Sequence, residues 1–201
     1  MGTVEEICTG KTATLTANDM KVDHFYTQGL LIHNSRKNTL FNCELTQSTI
    51  ELIKEGILFN TETRIEMDDN ALYRPVGNGT EVGLVKFLQD AEVPVHEIIT
   101  RKLDKIVAQI PFSSIRKRSL VALKHPDLED TVRVYVKGAP EYVLNKCQYT
   151  IGEDGRRVAL EDEQLNHILK DVIYEDFTTK GLRTIAFAYK DLSTEEFNDL
   201  K

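Results

Sequence analysis

The sequence has no long apolar run and few cysteines. No window of about 18 apolar residues occurs, and the first residues lack the basic, apolar and small-residue order of a signal peptide, so we expect a soluble chain. Cys8, Cys43 and Cys147 are odd in number and far apart, which fits neither a disulfide framework nor the C-x-x-C spacing of a metal site. We therefore expect reduced thiols in a cytosolic protein.

The sequence also lacks an excess of positive charge. The chain of 201 residues has a formal net charge of -7, whereas a nucleic-acid surface needs lysine and arginine in clustered excess, so we expect no nucleic-acid partner. A composition of 41% hydrophobic and 28% charged residues is typical of a globular protein with one good core and at most part of a second domain. The histidines have no ligand spacing, so we predict no metal site; they are His24, His33, His96, His125 and His167.

Alternating and β-rich apolar segments predict a sheet of at least five strands. Apolar residues alternate in two of these segments, and three others are short apolar runs bounded by charge or proline. In chain order the predicted strands are Met20–Phe25, Lys105–Ile110, Ser119–Leu123, Thr131–Lys137 and Thr184–Tyr189.

Helical spacing predicts three longer helices between the strands. Thr46 and Thr80 are candidate N-caps for the first two, and Glu161–Phe177 is the third. Pro140 fits the first turn of a short helix that follows a strand. Turn residues predict hairpins at 125–127 and 152–155. Because hairpins dominate, we predict an α+β fold, in which a twisted, mainly antiparallel β-sheet is flanked by helices.

Two segments carry residues that suit a nucleotide. Phe112 precedes three consecutive cations, Arg116-Lys117-Arg118, and a phenylalanine face can stack on a purine while cations offset phosphate charge. A solvated strand end with a core phenylalanine would have the same pattern. Lys137 closes a strand directly before Gly138, where a ligand could approach the backbone, although a plain turn lysine is equally consistent.

Three further residues have a structural explanation as well as a functional one. Thr80 and Glu81 follow a glycine-rich turn at a predicted helix start, where a cap and an acid commonly stabilise the helix. Arg183 begins a predicted strand and would equally serve as a surface cation. Taken singly, these residues decide nothing.

The segment Gly10-Lys11-Thr12 resembles the end of a phosphate-binding loop only superficially. That loop needs a glycine five residues before its Gly-Lys pair so that backbone N–H groups can curl around the phosphate, and this position is Glu5. A carboxylate there would repel phosphate, so this interpretation is set aside.

The order of the motifs resembles the P-type ion-pumping ATPases. The stretch ICTGKTATLTAN, residues 7–18, is similar to their phosphorylation signature, Cys-Ser-Asp-Lys-Thr-Gly-Thr-Leu-Thr followed by x-Asn. Downstream, GNGTEVGLVKFL, PFSSIRKRSL, VKGAPEYVLNKC and KGLRTIAFAYKDL resemble, in the same order, the four signatures of the nucleotide-binding domain. In wording the motifs look closest to the calcium pumps of the plasma-membrane type.

The resemblance also shows a departure at the phosphorylation loop. The family forms a covalent phosphate intermediate on an aspartate, and Gly10 stands at that position here. Ala13 replaces the glycine that follows Lys-Thr. The resemblance therefore implies no catalytic residue and no autophosphorylation in this chain.

In the nucleotide-binding signatures the resemblance assigns a role to each candidate residue. It implies that Phe112 stacks on adenine, that Glu81, helped by Thr80, hydrogen-bonds near the adenine amino group, that Lys137 lines the adenine pocket, that Gly138 leaves room for the ligand, and that Lys117 and Arg183 contact phosphates. Ser114 stands where some calcium pumps have arginine, so that phosphate contact is lost or passes to Arg116 or Arg118.

The resemblance implies a division of the chain and a set of partners. Residues 1–30 would form the hinge and the start of the phosphorylation domain, 31–192 the nucleotide-binding domain, and 193–201 the return towards the phosphorylation domain. ATP is the implied ligand, with Mg²⁺ only as MgATP in the full-length pump, and the phosphorylation and actuator domains are the implied partners.

On this basis we expect a monomer at the cytosolic face of a membrane-embedded pump, itself without membrane contact, that binds ATP without turnover. The alternative is a regulatory or interaction module that keeps the fold but has lost catalysis.

Overall fold

The computed structural model describes residues 8–9, 17, 19–34, 38–101 and 104–200. Ten strands occur in this part of the chain. They are β1 His24–Thr27, β2 Leu30–His33, β3 Arg64–Met67, β4 Tyr73–Val76, β5 Ile106–Ser113, β6 Arg118–Lys124, β7 Thr131–Gly138, β8 Tyr149–Ile151, β9 Arg157–Ala159 and β10 Ala186–Ser193.

A four-stranded antiparallel sheet in the order β10-β7-β6-β5 forms the centre, and three separate two-stranded hairpins pair β1 with β2, β3 with β4, and β8 with β9. The α+β, antiparallel prediction is confirmed. The prediction of five strands in one sheet is wrong, because the segment predicted at Met20–Phe25 does not join it. A strand begins only at His24 and turns back at Gln28-Gly29 to pair with Leu30–His33, which satisfies its backbone locally.

Seven α-helices occur in the described part of the chain. They are α1 Thr39–Asn42, α2 Gln47–Leu58, α3 Gly79–Asp90, α4 Val95–Thr100, α5 Pro140–Val143, α6 Asp162–His167 and α7 Thr194–Asp199. A short 3₁₀ turn, Leu144–Lys146, follows α5, and a π-helical segment, Ile168–Thr178, continues α6.

Helix starts follow local capping chemistry. The Thr46 side chain accepts a hydrogen bond from the Thr49 backbone N–H, which confirms the predicted cap of α2. The prediction that Thr80 caps α3 is wrong. Asn78 holds that place, and its side-chain oxygen accepts from the Thr80 N–H at 2.9 Å. Asparagine and threonine are both good caps, so composition could not choose between adjacent candidates.

Helix α2 packs against β7 and β10 of the central sheet and α3 packs against α2; the two helices supply most of the larger apolar cluster, which includes Ile57, Val85 and Leu88. A second cluster joins Phe59 at the end of α2 to Val121 and Tyr135 on the sheet. The end of α2 is thereby fixed against β6 and β7, so the loop that follows it lies over one end of these strands. No helix in the described residues is long and apolar enough to cross a membrane.

The predicted division at residues 30 and 31 falls inside the β1–β2 hairpin. The turn of this hairpin is tied to a distant one: the buried Gln28 side chain donates to the carbonyls of Gly152 at 3.1 Å and Glu153 at 2.8 Å. It also accepts from the Thr46 N–H at 3.1 Å. Residues on both sides of the predicted boundary therefore pack together, and the division itself stays a prediction.

Candidate functional site

The strand register brings the predicted site residues to one end of the central sheet. Arg118, the first residue of β6, pairs with Ser113 near the end of β5 and with Gly138 at the end of β7. Gly138 pairs in turn with Ala186, where β10 begins. Antiparallel pairing thus gathers two strand ends and two strand starts, and segments far apart in sequence meet there.

At this end of the sheet, Lys137 and Glu81 form a buried ion pair. Lys137 Nζ donates to Glu81 Oε1 at 2.6 Å, and the two side chains are only 7% and 14% exposed. Lys137 lies on β7 and Glu81 in the first turn of α3, so the pair joins helix to sheet. A buried charge is tolerated when its partner and further hydrogen bonds compensate for the lost water.

The loop after α2 supplies those further bonds. The Asn60 backbone carbonyl accepts from Lys137 Nζ at 2.6 Å. Glu81 Oε2 accepts from the Thr61 hydroxyl at 3.0 Å and from the Glu62 backbone N–H at 3.0 Å. Both ends of the ion pair are therefore held in fixed positions by the same loop.

The environment shifts the pKa of both groups. Burial acts to raise the pKa of Glu81, but the Lys137 ammonium and the hydrogen bonds to Glu62 and Thr61 outweigh it, so the pKa of Glu81 lies below its ordinary value. Burial lowers the pKa of Lys137, and the Glu81 carboxylate offsets part of that effect. A Glu81 carboxylate paired with a Lys137 ammonium carries no net charge.

Phe112 presents an exposed aromatic ring on the edge strand. The residue is 55% exposed and lies where β5 gains one residue relative to β6, between Ile110 and Ser113. Such a bulge re-aims side chains and is common beside functional sites. Phe112 is two strands from Lys137, about 10 Å in a sheet, so the two side chains do not form one contact.

The cations near Phe112 lie in the turn that follows it. Lys117 is exposed and has a left-handed backbone conformation, with φ of 55°. Arg116 extends back along the turn, and its Nη2 donates to the Pro111 carbonyl at 2.8 Å. The turn therefore holds two cations beside an exposed aromatic face.

Glycine is required at position 138, where β7 ends beside the start of β6. A Cβ on this residue would collide with the Lys117 carbonyl and would lie 2.8 Å from Arg118 Cα. Close packing of the two backbones alone explains the glycine. The predicted role of leaving room for a ligand stays a prediction.

Arg183 and Thr80 connect the approach to β10 with the start of α3. Arg183 Nη1 donates to Thr80 Oγ1 at 2.9 Å. Thr80 and Glu81, adjacent in sequence, are thus each held by a cation predicted for the site. This pairing makes the first turn of α3 one wall of the site.

Sequence reasoning missed Asn60 and Thr61. Both are 2% exposed, although a polar run directly after a helix, Asn60-Thr61-Glu62-Thr63, is typical of an open loop. The only available signal was the burial implied by Phe59 before it. The predicted phosphorylation loop, with Gly10, lies outside the described residues apart from Cys8, Thr9 and Ala17.

Of the seven predicted residues, Thr80 and Arg183 line a groove together with Arg118, whereas the other five do not line it. Together the described side chains offer a fixed carboxylate–ammonium pair, an exposed aromatic ring and several cations. That combination suits a ligand with a flat polar ring and anionic groups. Side-chain contacts or strand register connect each of the seven predicted residues to this end of the sheet.

Known proteins provide an independent comparison. Residues 48–201 match the family model described as P-type ATPase, cytoplasmic domain N. The chain is 30% identical over 96% of its length to a probable calcium-transporting ATPase 6, plasma membrane-type, of Oryza sativa subsp. japonica. It is 31% identical over 98% of its length to plasma membrane calcium-transporting ATPase 4 of Homo sapiens, and 31% identical over its full length to a putative calcium-transporting ATPase 11, plasma membrane-type, of Arabidopsis thaliana.

The chain covers only 18%, 16% and 19% of the lengths of these three relatives. The likeness therefore concerns one domain and its immediate flanks, and it agrees with the ordered motifs and with the antiparallel α+β architecture. The chain belongs to the P-type ATPase family, and residues 48–201 match its cytoplasmic domain N.

Proposed function

We propose that this chain binds ATP at the Glu81–Lys137 end of the central sheet and presents it to the phosphorylation domain of a calcium-transporting P-type ATPase. The observation that carries this proposal is the buried, hydrogen-bonded Glu81–Lys137 pair at the same end of the sheet as the exposed ring of Phe112. Desolvation offsets much of the attraction within a buried ion pair, so such a pair contributes little to stability by itself. We therefore interpret this pair as part of a binding site.

Each part of ATP has a chemical counterpart among the described residues. The Phe112 face would stack on adenine, a contact worth about 1 to 3 kcal/mol on the scale of base stacking. The Glu81 carboxylate and the Thr80 hydroxyl would accept hydrogen bonds from the adenine amino group, and Lys137 would line the adenine pocket. Lys117 and Arg183 would meet the phosphates, whose charge they offset.

A phosphate contact by Arg183 would compete with its hydrogen bond to Thr80. Its Nη1 donates to Thr80 in this structure, and a guanidinium has further donors for a phosphate oxygen. Arg116, whose Nη2 donates to the Pro111 carbonyl, is less available than Lys117 for the contact that Ser114 cannot make. We therefore assign the phosphate contact near Phe112 to Lys117.

Turnover is not part of the proposed function. Phosphoryl transfer depends on Mg²⁺ and on positioning around an acceptor, and Gly10 has no side chain to accept a phosphoryl group. The chain would hold MgATP through the nucleotide alone. Binding should be weaker than about micromolar, roughly -8 kcal/mol, because metal and phosphate contacts from another domain would be missing.

The test is a titration of the chain with ATP and then GTP, followed by amide NMR. We expect saturable shifts at Glu81, Phe112 and Lys137 that favour ATP. Phe112→Ala should weaken binding about tenfold to a hundredfold, because stacking is lost. Tyr174→Ala is the matched control, since Tyr174 is 58% exposed but lies on the π-helical segment and does not line the groove.

An equal loss of ATP affinity in the two variants would contradict stacking of adenine on Phe112. Absence of any shift at millimolar ATP would overturn ATP binding altogether. It would instead support the alternative, a regulatory or interaction module that keeps the fold, which the replacement of the phosphorylatable aspartate by Gly10 favours.

A further inference from the structure

The β1–β2 hairpin places two histidines directly opposite one another. His24 on β1 pairs with His33 on β2, and their ring centroids are 4.5 Å apart. The Asn34 N–H donates to the Asp23 carbonyl at 2.7 Å, so positions 23 and 34 are a hydrogen-bonded pair. Because such pairs alternate in an antiparallel ladder, His24 and His33 form the non-hydrogen-bonded pair, in which side chains lie closest.

The register that opposes these histidines is fixed at both ends of the hairpin. Its two-residue turn has positive φ angles, 53° at Gln28 and 74° at Gly29, as a type I′ turn requires. At the open end, Asn34 Nδ2 donates to the Val22 carbonyl at 2.8 Å. A slip of one residue would break both ends, so the two imidazoles are held together by the backbone.

Asp23 completes a group of three metal-ligating side chains. Its Oδ2 lies 2.8 Å from His24 Nδ1, and its Oδ1 lies 3.7 Å from His33 Nε2. One ligand atom from each residue lies within 4.8 Å of the others, and this is the only such group in the described part of the chain. Tetrahedral ligands of a zinc ion are about 3.3 Å apart, and the two distances, which run to different oxygens of Asp23, lie on either side of that value.

The ring of His24 provides a second, independent observation. His24 Nδ1 is buried, yet it makes no hydrogen bond within the described residues. The carboxylate oxygen is near enough but is not aligned with the ring nitrogen. Two ligands that point at a shared ion have this relation, and a buried ring nitrogen that makes no hydrogen bond is costly even beside a carboxylate.

We propose that Asp23, His24 and His33 form a binding site for a divalent transition-metal ion of the zinc class. Imidazole nitrogen with one carboxylate suits Zn²⁺ or its neighbours in the series and not Ca²⁺ or Mg²⁺, which prefer oxygen ligands. Three protein ligands leave a fourth position for water or a further ligand. The ion would clamp the open end of the hairpin.

This inference does not rest on ATP binding, although Asp23 and His24 line the same groove as Thr80 and Arg183. Asp23 and His33 are half exposed or more, with 50% and 57% exposed side chains, so an ion can reach them from solvent. His24 packs near Phe177, with ring centroids 6.0 Å apart, so its ring is held while His33 can adjust.

The test is a calorimetric titration of the reduced chain with Zn²⁺, together with Co²⁺ absorption spectra. We expect one equivalent of metal to bind, with ring-nitrogen NMR shifts at His24 and His33. The Co²⁺ spectrum should lack the thiolate charge-transfer band that a cysteine site would give. His24→Gln and His33→Gln should each weaken binding at least tenfold, since loss of a ligand costs at least as much as loss of its outer-shell partner.

His167→Gln is the matched control. His167 Nδ1 lies 2.6 Å from Asp171 Oδ2 on an exposed surface, so it has a carboxylate neighbour but belongs to no three-residue group in the described chain. Circular dichroism would verify that the variants fold, as expected for exposed His33. Binding unchanged in both cluster variants, binding lost equally in His167→Gln, or a thiolate band would each overturn the proposal.

Discussion

Neutralising either member of the buried ion pair between Glu81 and Lys137 should destabilise the domain strongly. Each residue replaced alone, as Glu81→Gln or Lys137→Met, leaves its partner charged and buried, with 7% exposure for the lysine and 14% for the glutamate. Breaking such a pair costs about 3 to 5 kcal/mol. The retained bonds from Thr61, Glu62 and Asn60 place the expected loss at the lower end, about 3 kcal/mol.

The double variant separates the pair from its surroundings. With both charges removed no uncompensated ion remains, so we expect Glu81→Gln/Lys137→Met to lose no more than either single variant. The coupling free energy would then be about 3 kcal/mol, against a sum of about 6 kcal/mol for independent losses. For a chain of this length each single change should lower the melting temperature by about 6 to 12 °C.

Urea denaturation followed by circular dichroism measures these free energies of unfolding. The matched control is the cycle Glu51→Gln with Lys54→Met on α2, where the same residue types form an ion pair at 2.8 Å with the glutamate 48% exposed. There the coupling should be about 0.5 kcal/mol, because solvent screens it. Additive losses at Glu81 and Lys137 would refute the reasoning that the pair acts as one buried unit.

Three further predictions concern pH, backbone packing and the hairpin turn. Because the pKa of Glu81 is lowered, its contribution is complete above its unfolded pKa and is lost as pH falls through the folded value, so the stability gap between wild type and Glu81→Gln should shrink below about pH 4 in urea titrations. Gly138→Ala should cost about 3 kcal/mol by thermal melting, since its Cβ meets Lys117 and Arg118. Gln28→Ala should cost about 2 kcal/mol by the same assay, because it removes three hydrogen bonds made by a buried side chain.

Local chemistry explains which elements could be predicted. Thr46 caps α2, Pro140 begins α5, and β7 follows the alternation of Val132, Val134 and Val136. Each signal lies within a few residues of the element it predicts, so it is readable without the fold.

Pairing between distant segments explains the errors. The segment before Phe25 has the apolar pattern of a sheet strand, but the Gln28-Gly29 turn returned the chain to Leu30–His33 before it could reach the central sheet. The β3–β4 hairpin and the short helix α4 were not predicted, because their runs of four and six residues carry little periodic signal.

The sequence by itself determined the family and the seven candidate residues, because four motifs in fixed order are legible one after another along the chain. Only the tertiary structure decided that Lys137 donates a hydrogen bond to Glu81, 56 positions away in the sequence. It also decided that Asn60 and Thr61 form hydrogen bonds with this ion pair. The opposition of His24 and His33 likewise depends on strand register. Contacts of this kind depend on how elements pack and on which polar groups burial forces to pair, and neither is a property of a short stretch of residues.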